Sequence, residues 1–436
     1  MQQRTRTRKF YVTQVSSRKQ PASQPMAYFF NPSHTILSAA LAGGAGVYVW
    51  YYLYYVCQQP ALYFKKGKLS DLVLNHCTLL RKKYRPTIWA LNPHSQTVLS
   101  ALRILTCRAM YDRQPITTTD GGTVALDWFQ PRGYAKLPTD TPVVLVLHGL
   151  TGGSREGYCK WMCTSIAAKG WRPVVLNYRG CAGLQLTSPA VYCASFTDDV
   201  HLAVQEIHTQ FPEARVFAAG YSLGSLILCK YLAECGNGTW KAAGSGISSA
   251  VMVSNPFCMH TSKVRASKPW SIEWLYNIGL AHRIKRYIVE HNLALSKHAE
   301  LDMASIAQST TIEHLDERVV CKLYGFEAAE DYYAAASSMQ YIPQIQTPCL
   351  FLIAQDDPFL GKLPIEECKS NENTVLAVTP RGGHVAFLQG LWPFGTAWMD
   401  QVAIQFLTMC SDMMTRSDMT SQNQSDATQE AMLPSL

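Results

Sequence analysis

A serine hydroxyl does nucleophilic chemistry only where the chain lifts it clear of its surroundings and supplies a base for its proton. Gly220-Tyr221-Ser222-Leu223-Gly224 meets the first condition: it follows an apolar run at 216–219 and opens a helical pattern at 225–235 that stops at Gly236-Asn237-Gly238. Small residues on both sides of Ser222 suit a tight strand-to-helix turn, and the helix N-terminus behind it favours developing negative charge. Of twelve histidines, His384 has the loop context of a base: Arg381-Gly382-Gly383-His384 directly follows the apolar run 375–378. An imidazole acting as base needs a carboxylate to orient it. Two adjacent candidates, Asp356 and Asp357, close the run 349–353 in Ala354-Gln355-Asp356-Asp357-Pro358. Asp357 is favoured, four positions past the strand, with Asp356 kept as the alternative. Charge on the carbonyl oxygen needs N–H donors. His148-Gly149-Leu150-Thr151-Gly152-Gly153-Ser154 follows another apolar run, and the backbone N–H groups of Leu150 and Leu223 are the candidate oxyanion donors. That loop lacks the Gly-Lys-Ser/Thr ending of a phosphate-binding loop.

The chain order serine, aspartate, histidine is the one a doubly covered, mostly parallel sheet imposes. Apolar runs of strand length at Val143–Leu147, 174–176, 216–219, 250–253, 350–353 and 375–378 predict that sheet. Helical patterns at 159–168, 198–211 and 226–235 lie between most of them, so the fold class is α/β. A hairpin is expected over 113–130, its strands at 116–119 and 123–129 around Asp120-Gly121-Gly122. Residues 255–346 break the alternation with helical patterns at 270–282, 283–295 and 312–320, the place for a cap. The folded body is expected over 69–410, with a disordered tail at 411–436 that lacks apolar periodicity.

The N-terminus reads differently. Residues 36–57 contain no charge, and as a helix they predict a membrane span with an aromatic C-terminal half. Residues 1–70 carry nine Lys/Arg and no Asp or Glu, so the formal net charge of +8 resides entirely there. Residues 1–35 form a basic segment before the span; their excess over the three Lys after it predicts a cytoplasmic N-terminus and a lumenal body, most simply in the endoplasmic reticulum. Sequons at Asn237 and Asn423 fit that orientation. The near-neutral body speaks against nucleic-acid binding. Fourteen cysteines without C-x-x-C spacing indicate neither a disulfide scaffold nor a metal site, and no cofactor motif is present.

The chain resembles the membrane-anchored α/β-hydrolase domain proteins of the AB hydrolase 4 family over residues 60–408. The likeness is carried by YRPTIW at 84–89, DGGTVALDWF at 120–129, GLTGG at 149–153, NYRG at 177–180, the serine turn, DYYAAAS at 331–337, DDPF at 356–359 and GGHVAFLQG at 382–390. It implies that Ser222, Asp357 and His384 form a charge relay, the second aspartate of the DDP motif being the family's acid. Relatives often carry Pro at the position of His148, which implies that this histidine is not catalytic; many carry Gly where Ser225 stands. The family implies hydrolysis of lipid esters, phospholipids and acylglycerols included, and in some homologues acyl transfer to alcohols. A non-catalytic membrane interaction protein on the same fold is the reading from another class.

Overall fold

Alternate residues along each apolar run point to opposite sides of a sheet, and here both sides find a hydrophobic partner. The computed structural model describes residues 32–131, 137–239, 246–266, 268, 270–298 and 301–431. Its strands are β1 (Ala61–Tyr63), β2 (Tyr111–Thr117), β3 (Thr123–Phe129), β4 (Val143–Leu147), β5 (Arg172–Asn177), β6 (Val216–Tyr221), β7 (Ser249–Val253), β8 (Cys349–Ala354) and β9 (Thr374–Thr379). They form one sheet in the order β1-β9-β8-β7-β6-β4-β5-β3-β2. The six strands from β9 to β5 are parallel, while β1 and the β2–β3 hairpin pair antiparallel at the two edges. This is an α/β-hydrolase sheet.

Val143, Leu145 and Leu147 of β4 join one core and Val144 and Val146 the other. Phe351 and Ile353 of β8 divide in the same way from Leu350 and Leu352. A strand buried on both faces cannot show polar alternation, so central strands read as unbroken apolar runs.

The hairpin closes on a turn in which Thr118 N donates to Gly122 O at 2.9 Å and Gly121 adopts φ 78°. A side chain at Gly122 would place its Cβ 2.8 Å from the Arg179 guanidinium. Arg179, itself buried, donates through Nε and Nη2 to Asp199 at 2.8 Å and through Nη1 to Asp120 at 2.5 Å. This ion cluster is the physical content of the DGG and NYRG motifs: it ties the hairpin turn, the segment after β5 and the next helix together. Burial works against the charged form of Asp120, yet hydrogen bonds from Arg179 and Thr118 outweigh it and hold the carboxyl well below its ordinary range.

Helix α1 (Pro32–Tyr51) opens the described chain as a unit of its own, and a π-helical turn, Tyr52–Val56, begins the body. The expected span at 36–57 is corrected here: among the described residues no helix is long and apolar enough to cross a membrane. The reason lies at its C-terminal end. Val56 and Cys57 are buried, and Tyr52 Oη donates to Pro86 O at 2.7 Å, so the last part of the apolar run belongs to the body. Residues 36–51 would rise only about 24 Å as a helix, short of a ~30 Å hydrocarbon core.

Helices α2 (Pro93–Leu102), α3 (Gly157–Ala168), α4 (Asp198–Gln210) and α5 (Leu223–Gly236) follow, and between β7 and β8 the insertion is helical among its described residues. Two helices expected at 270–282 and 283–295 are instead mainly one, α6 (Ile272–Glu290), followed by the short Asn292–Leu295. Ser271 Oγ accepts from Trp274 N at 3.1 Å to start α6, and no helix breaker stands at the expected break. The last helix, α7 (Trp398–Ala431), runs on through the expected unstructured tail. Arg215 explains part of this: it donates to Ser411 O at 3.1 Å and Thr415 Oγ1 at 2.7 Å and pairs with Asp418. Residues 432–436, residues 1–31 of the basic segment and the side chain of Asn423 lie outside the described residues.

Candidate functional site

The turn from β6 into α5 is built by exclusion. A Cβ at Gly220 would stand 2.8 Å from Gly224 O, and one at Gly224 would stand 2.5 Å from Leu147 O, so backbone packs directly on backbone at both glycines. Ser222 between them adopts φ 52° and ψ −120°, a conformation that L side chains rarely tolerate. Its N–H donates to Val253 O at 3.0 Å, and its carbonyl accepts from Ser225 N and Ser225 Oγ at 2.9 and 2.5 Å. Ser225 thus ties the strained residue to the first turn of α5.

His384 arrives from the loop after β9. Its Nε2 lies 2.8 Å from Ser222 Oγ, and its Nδ1 lies 2.8 Å from Asp357 Oδ2 and 3.0 Å from Asp357 Oδ1. Asp357 is 2 % exposed. A carboxylate can only accept, so Nδ1 carries the ring proton and Nε2 is left as the acceptor for the serine hydroxyl. That is the tautomer a general base requires. Phe359 flanks the imidazole with ring centroids 4.5 Å apart, and its N–H donates to Asp357 Oδ1 at 2.8 Å.

The neighbouring aspartate has a separate task. Asp356 Oδ1 accepts from Gly383 N at 3.0 Å, which anchors the histidine loop from below. Burial raises the Asp356 carboxyl above its ordinary range. On the other side, Thr97 Oγ1 of α2 accepts from His384 N at 3.0 Å. Gly383 has φ 63°, and a Cβ there would meet Pro93 O at 2.6 Å, so α2 packs against the loop itself. Neither Thr97 nor the loop-anchoring role of Asp356 is visible in the linear pattern, since each is defined by a contact across the fold.

The loop after β4 lies against the serine: a Cβ at Gly149 would be 3.3 Å from Ser222 Cβ. Gly149 N donates to Tyr158 Oη at 2.8 Å and Thr151 N to Tyr192 Oη at 2.7 Å. The Leu150 N–H between them has no hydrogen-bond acceptor among the described residues. Leu223, first residue of α5, presents the kind of N–H that no helix can satisfy internally. Tyr158 and Tyr192 are two more residues that pattern reading does not single out. His148 is buried, donates through Nδ1 to Gly149 O at 2.8 Å, and has its pKa lowered to about 4 by burial. It shapes the loop as a neutral ring.

Ser222 and His384 open into a cavity of about 340 Å³ whose apolar wall includes Leu150, Leu223, Leu226, Met259, Leu280 and Phe359. Tyr276 and Leu280 of α6 place the insertion over the site as a cap. Ser222, His384 and Asp357, with a preorganised N–H loop and an apolar cavity, can transfer an acyl group from an ester. Among the described residues no His, Cys, Asp and Glu cluster is arranged to hold a metal.

Residues 139–384 match the family described as serine aminopeptidase, S33. The chain is similar to phospholipase ABHD3 of Mus musculus, 32% identical over 372 residues that cover 84% of this chain and 88% of that protein. It is also similar to a monoacylglycerol lipase of Saccharomyces cerevisiae, 33% identical over 279 residues covering 63% of this chain and 60% of that one. Monoacylglycerol lipase ABHD2 of Mus musculus is 28% identical over 370 residues, covering 80% and 84%. Among solved structures, an esterase of Pyrococcus furiosus, Pf2001, is 18% identical with a TM-score of 0.44, covering 69% of this chain and 90% of that one.

Proposed function

From the premise that this chain belongs to the α/β-hydrolase family matched by residues 139–384 and is a carboxylic ester hydrolase, we propose that it cleaves acyl esters of lipids through Ser222, His384 and Asp357. The observation that carries this reading is the unbroken hydrogen-bond chain from Ser222 Oγ through His384 to Asp357 at the mouth of an apolar cavity. Ser222 Oγ attacks the ester carbonyl carbon as its proton passes to His384 Nε2. The carbonyl electrons move to oxygen, which faces the N–H groups of Leu150 and Leu223. Asp357 keeps the ring in place and stabilises the imidazolium. His384 then returns the proton to the departing alcohol oxygen, leaving an acyl-serine, and a water activated by the same Nε2 releases the fatty acid.

The lipid part of the proposal is supported by the apolar cavity and by the lipase and phospholipase names of the relatives. Labelling with a fluorophosphonate tests the nucleophile: the wild type reacts and Ser222→Ala does not, whereas equal labelling of the two proteins overturns the assignment. Free fatty acid released from phosphatidylcholine and from mono-, di- and triacylglycerols then tests the substrate, and release from short soluble esters alone would refute the lipid reading.

A further inference from the structure

A second cavity, of about 420 Å³, shares Gly152 and Arg283 with the cavity of Ser222 and His384, so one substrate can extend from one into the other. The two differ in kind. The turn at 180–183 lines the second cavity with backbone, Gly180, Ala182 and Gly183 having φ of 69°, 54° and 83°. Helix α6 and the residue that caps its end brace that turn: Tyr287 Oη donates to Arg179 O and His291 Nε2 to Gly180 O, each at 2.9 Å. The same helix contributes Arg283, Arg286 and Glu290, whose spacing of three and four residues puts them on one face.

Arg283 sits at the junction. Its Nη2 donates to Thr151 O at 3.1 Å and lies 3.4 Å from Glu156 Oε1, a long ion pair. Among the described residues its Nε and Nη1 have no hydrogen-bond partner, so one edge of the guanidinium fork is open. Arg286 is exposed and donates through Nε to Glu290 Oε1 at 2.8 Å. A guanidinium edge matches two oxygens of a phosphate. An uncharged glyceride offers it only neutral hydroxyl and ester oxygens, which make weaker hydrogen bonds than an anionic oxygen pair.

We infer that the second cavity is a headgroup subsite for a zwitterionic phosphodiester lipid, with Arg283 and Arg286 on the phosphate and Glu290 facing the ammonium. The inference rests on the acyl-ester reading of Ser222 and narrows its substrate class. Mixed charge on the subsite argues for a zwitterion over an anionic headgroup, which would meet Glu290 unfavourably.

The test compares wild type, Arg283→Gln, Arg283→Lys and Arg286→Glu on detergent-mixed micelles of phosphatidylcholine, phosphatidylglycerol or monoacylglycerol with the same acyl chain. Arg283→Gln is expected to lower the phosphatidylcholine-to-monoacylglycerol ratio of kcat/KM about tenfold, the loss of one charge-assisted contact, mainly through KM. Arg283→Lys should recover part of the ratio, and Arg286→Glu should lower it independently of any effect at Thr151. An unchanged ratio in both Arg283→Gln and Arg286→Glu, or a preference of the wild type for phosphatidylglycerol, overturns the subsite. So does wild-type cleavage of monoacylglycerol alone, which leaves the ester reading standing; cleavage of no lipid at all removes that reading and the subsite with it.

Discussion

Replacing Asp357 by Asn preserves the shape of the side chain and converts one acceptor into a donor. In the native protein Oδ1 accepts from Phe359 N at 2.8 Å while Oδ2 stands 2.8 Å from His384 Nδ1. The amide oxygen of Asn satisfies only one of these. Kept on Phe359 N–H, it turns its NH₂ toward Nδ1, which must then accept, and the ring proton moves to Nε2. There it faces Ser222 Oγ at 2.8 Å as a donor, and the serine proton has no base to go to. A wrong tautomer in a unit of this kind costs about 10⁴-fold in kcat, ~5.5 kcal/mol of barrier. Asp356→Asn sets the contrast. Asn keeps an acceptor for Gly383 N, and its neutrality removes the desolvation that burial imposes on the carboxylate, so activity should fall by no more than about tenfold. Steady-state hydrolysis of a short p-nitrophenyl ester measures the turnover of both, and thermal unfolding checks that both are folded. Equal losses, or a larger loss in Asp356→Asn, would refute the tautomer argument and transfer the acid to Asp356.

The remaining expectations concern the parts that hold the site. Gly224→Ala drives a Cβ to within 2.5 Å of Leu147 O and 2.6 Å of His148 O, two backbone atoms that cannot turn aside, so a drop in melting temperature together with lost fluorophosphonate labelling is expected; a stable, fully labelled variant would contradict the packing described. Arg179→Met strands buried Asp199 without its two guanidinium hydrogen bonds, and chemical denaturation should show a loss of about 3–5 kcal/mol. Asp316, buried in the cap and held by Tyr333 Oη at 2.9 Å, has its pKa raised to about 7 by burial. The unfolded chain releases that proton near 4 and the folded chain near 7, so the stability associated with the neutral acid is complete below pH ~4 and is lost as pH rises through about 7. Asp316→Asn, which cannot ionise, should therefore gain on the wild type between pH 5 and 8 in melting experiments, by on the order of a few kcal/mol; a constant gap between the two would exclude Asp316 as the cause.

Legibility in the sequence follows the range of the forces involved. Val143–Leu147 was readable to the residue because both its faces are buried, and the serine turn because only glycine fits where β6 meets α5. Strand β1, three residues at an edge, has too little pattern to be read, and the run at 174–176 shows only the middle of Arg172–Asn177 because polar ends also join the ladder. Ser222, Asp357 and His384 were legible through their order along the chain, each at the C-terminal end of a readable strand, and the structure brings those three side chains together. Their supports were not. Thr97 precedes His384 by 287 positions, and Tyr158 and Tyr192 reach the oxyanion loop from separate segments, so only tertiary folding gives them meaning. Only the end of the apolar run at 36–57 misled for the same reason. A tyrosine that hydrogen-bonds Pro86 and a valine that is buried in the body look, in one dimension, like the end of a membrane span. Composition reports that a segment must leave water, and long-range contacts decide whether a bilayer or the protein's own core receives it.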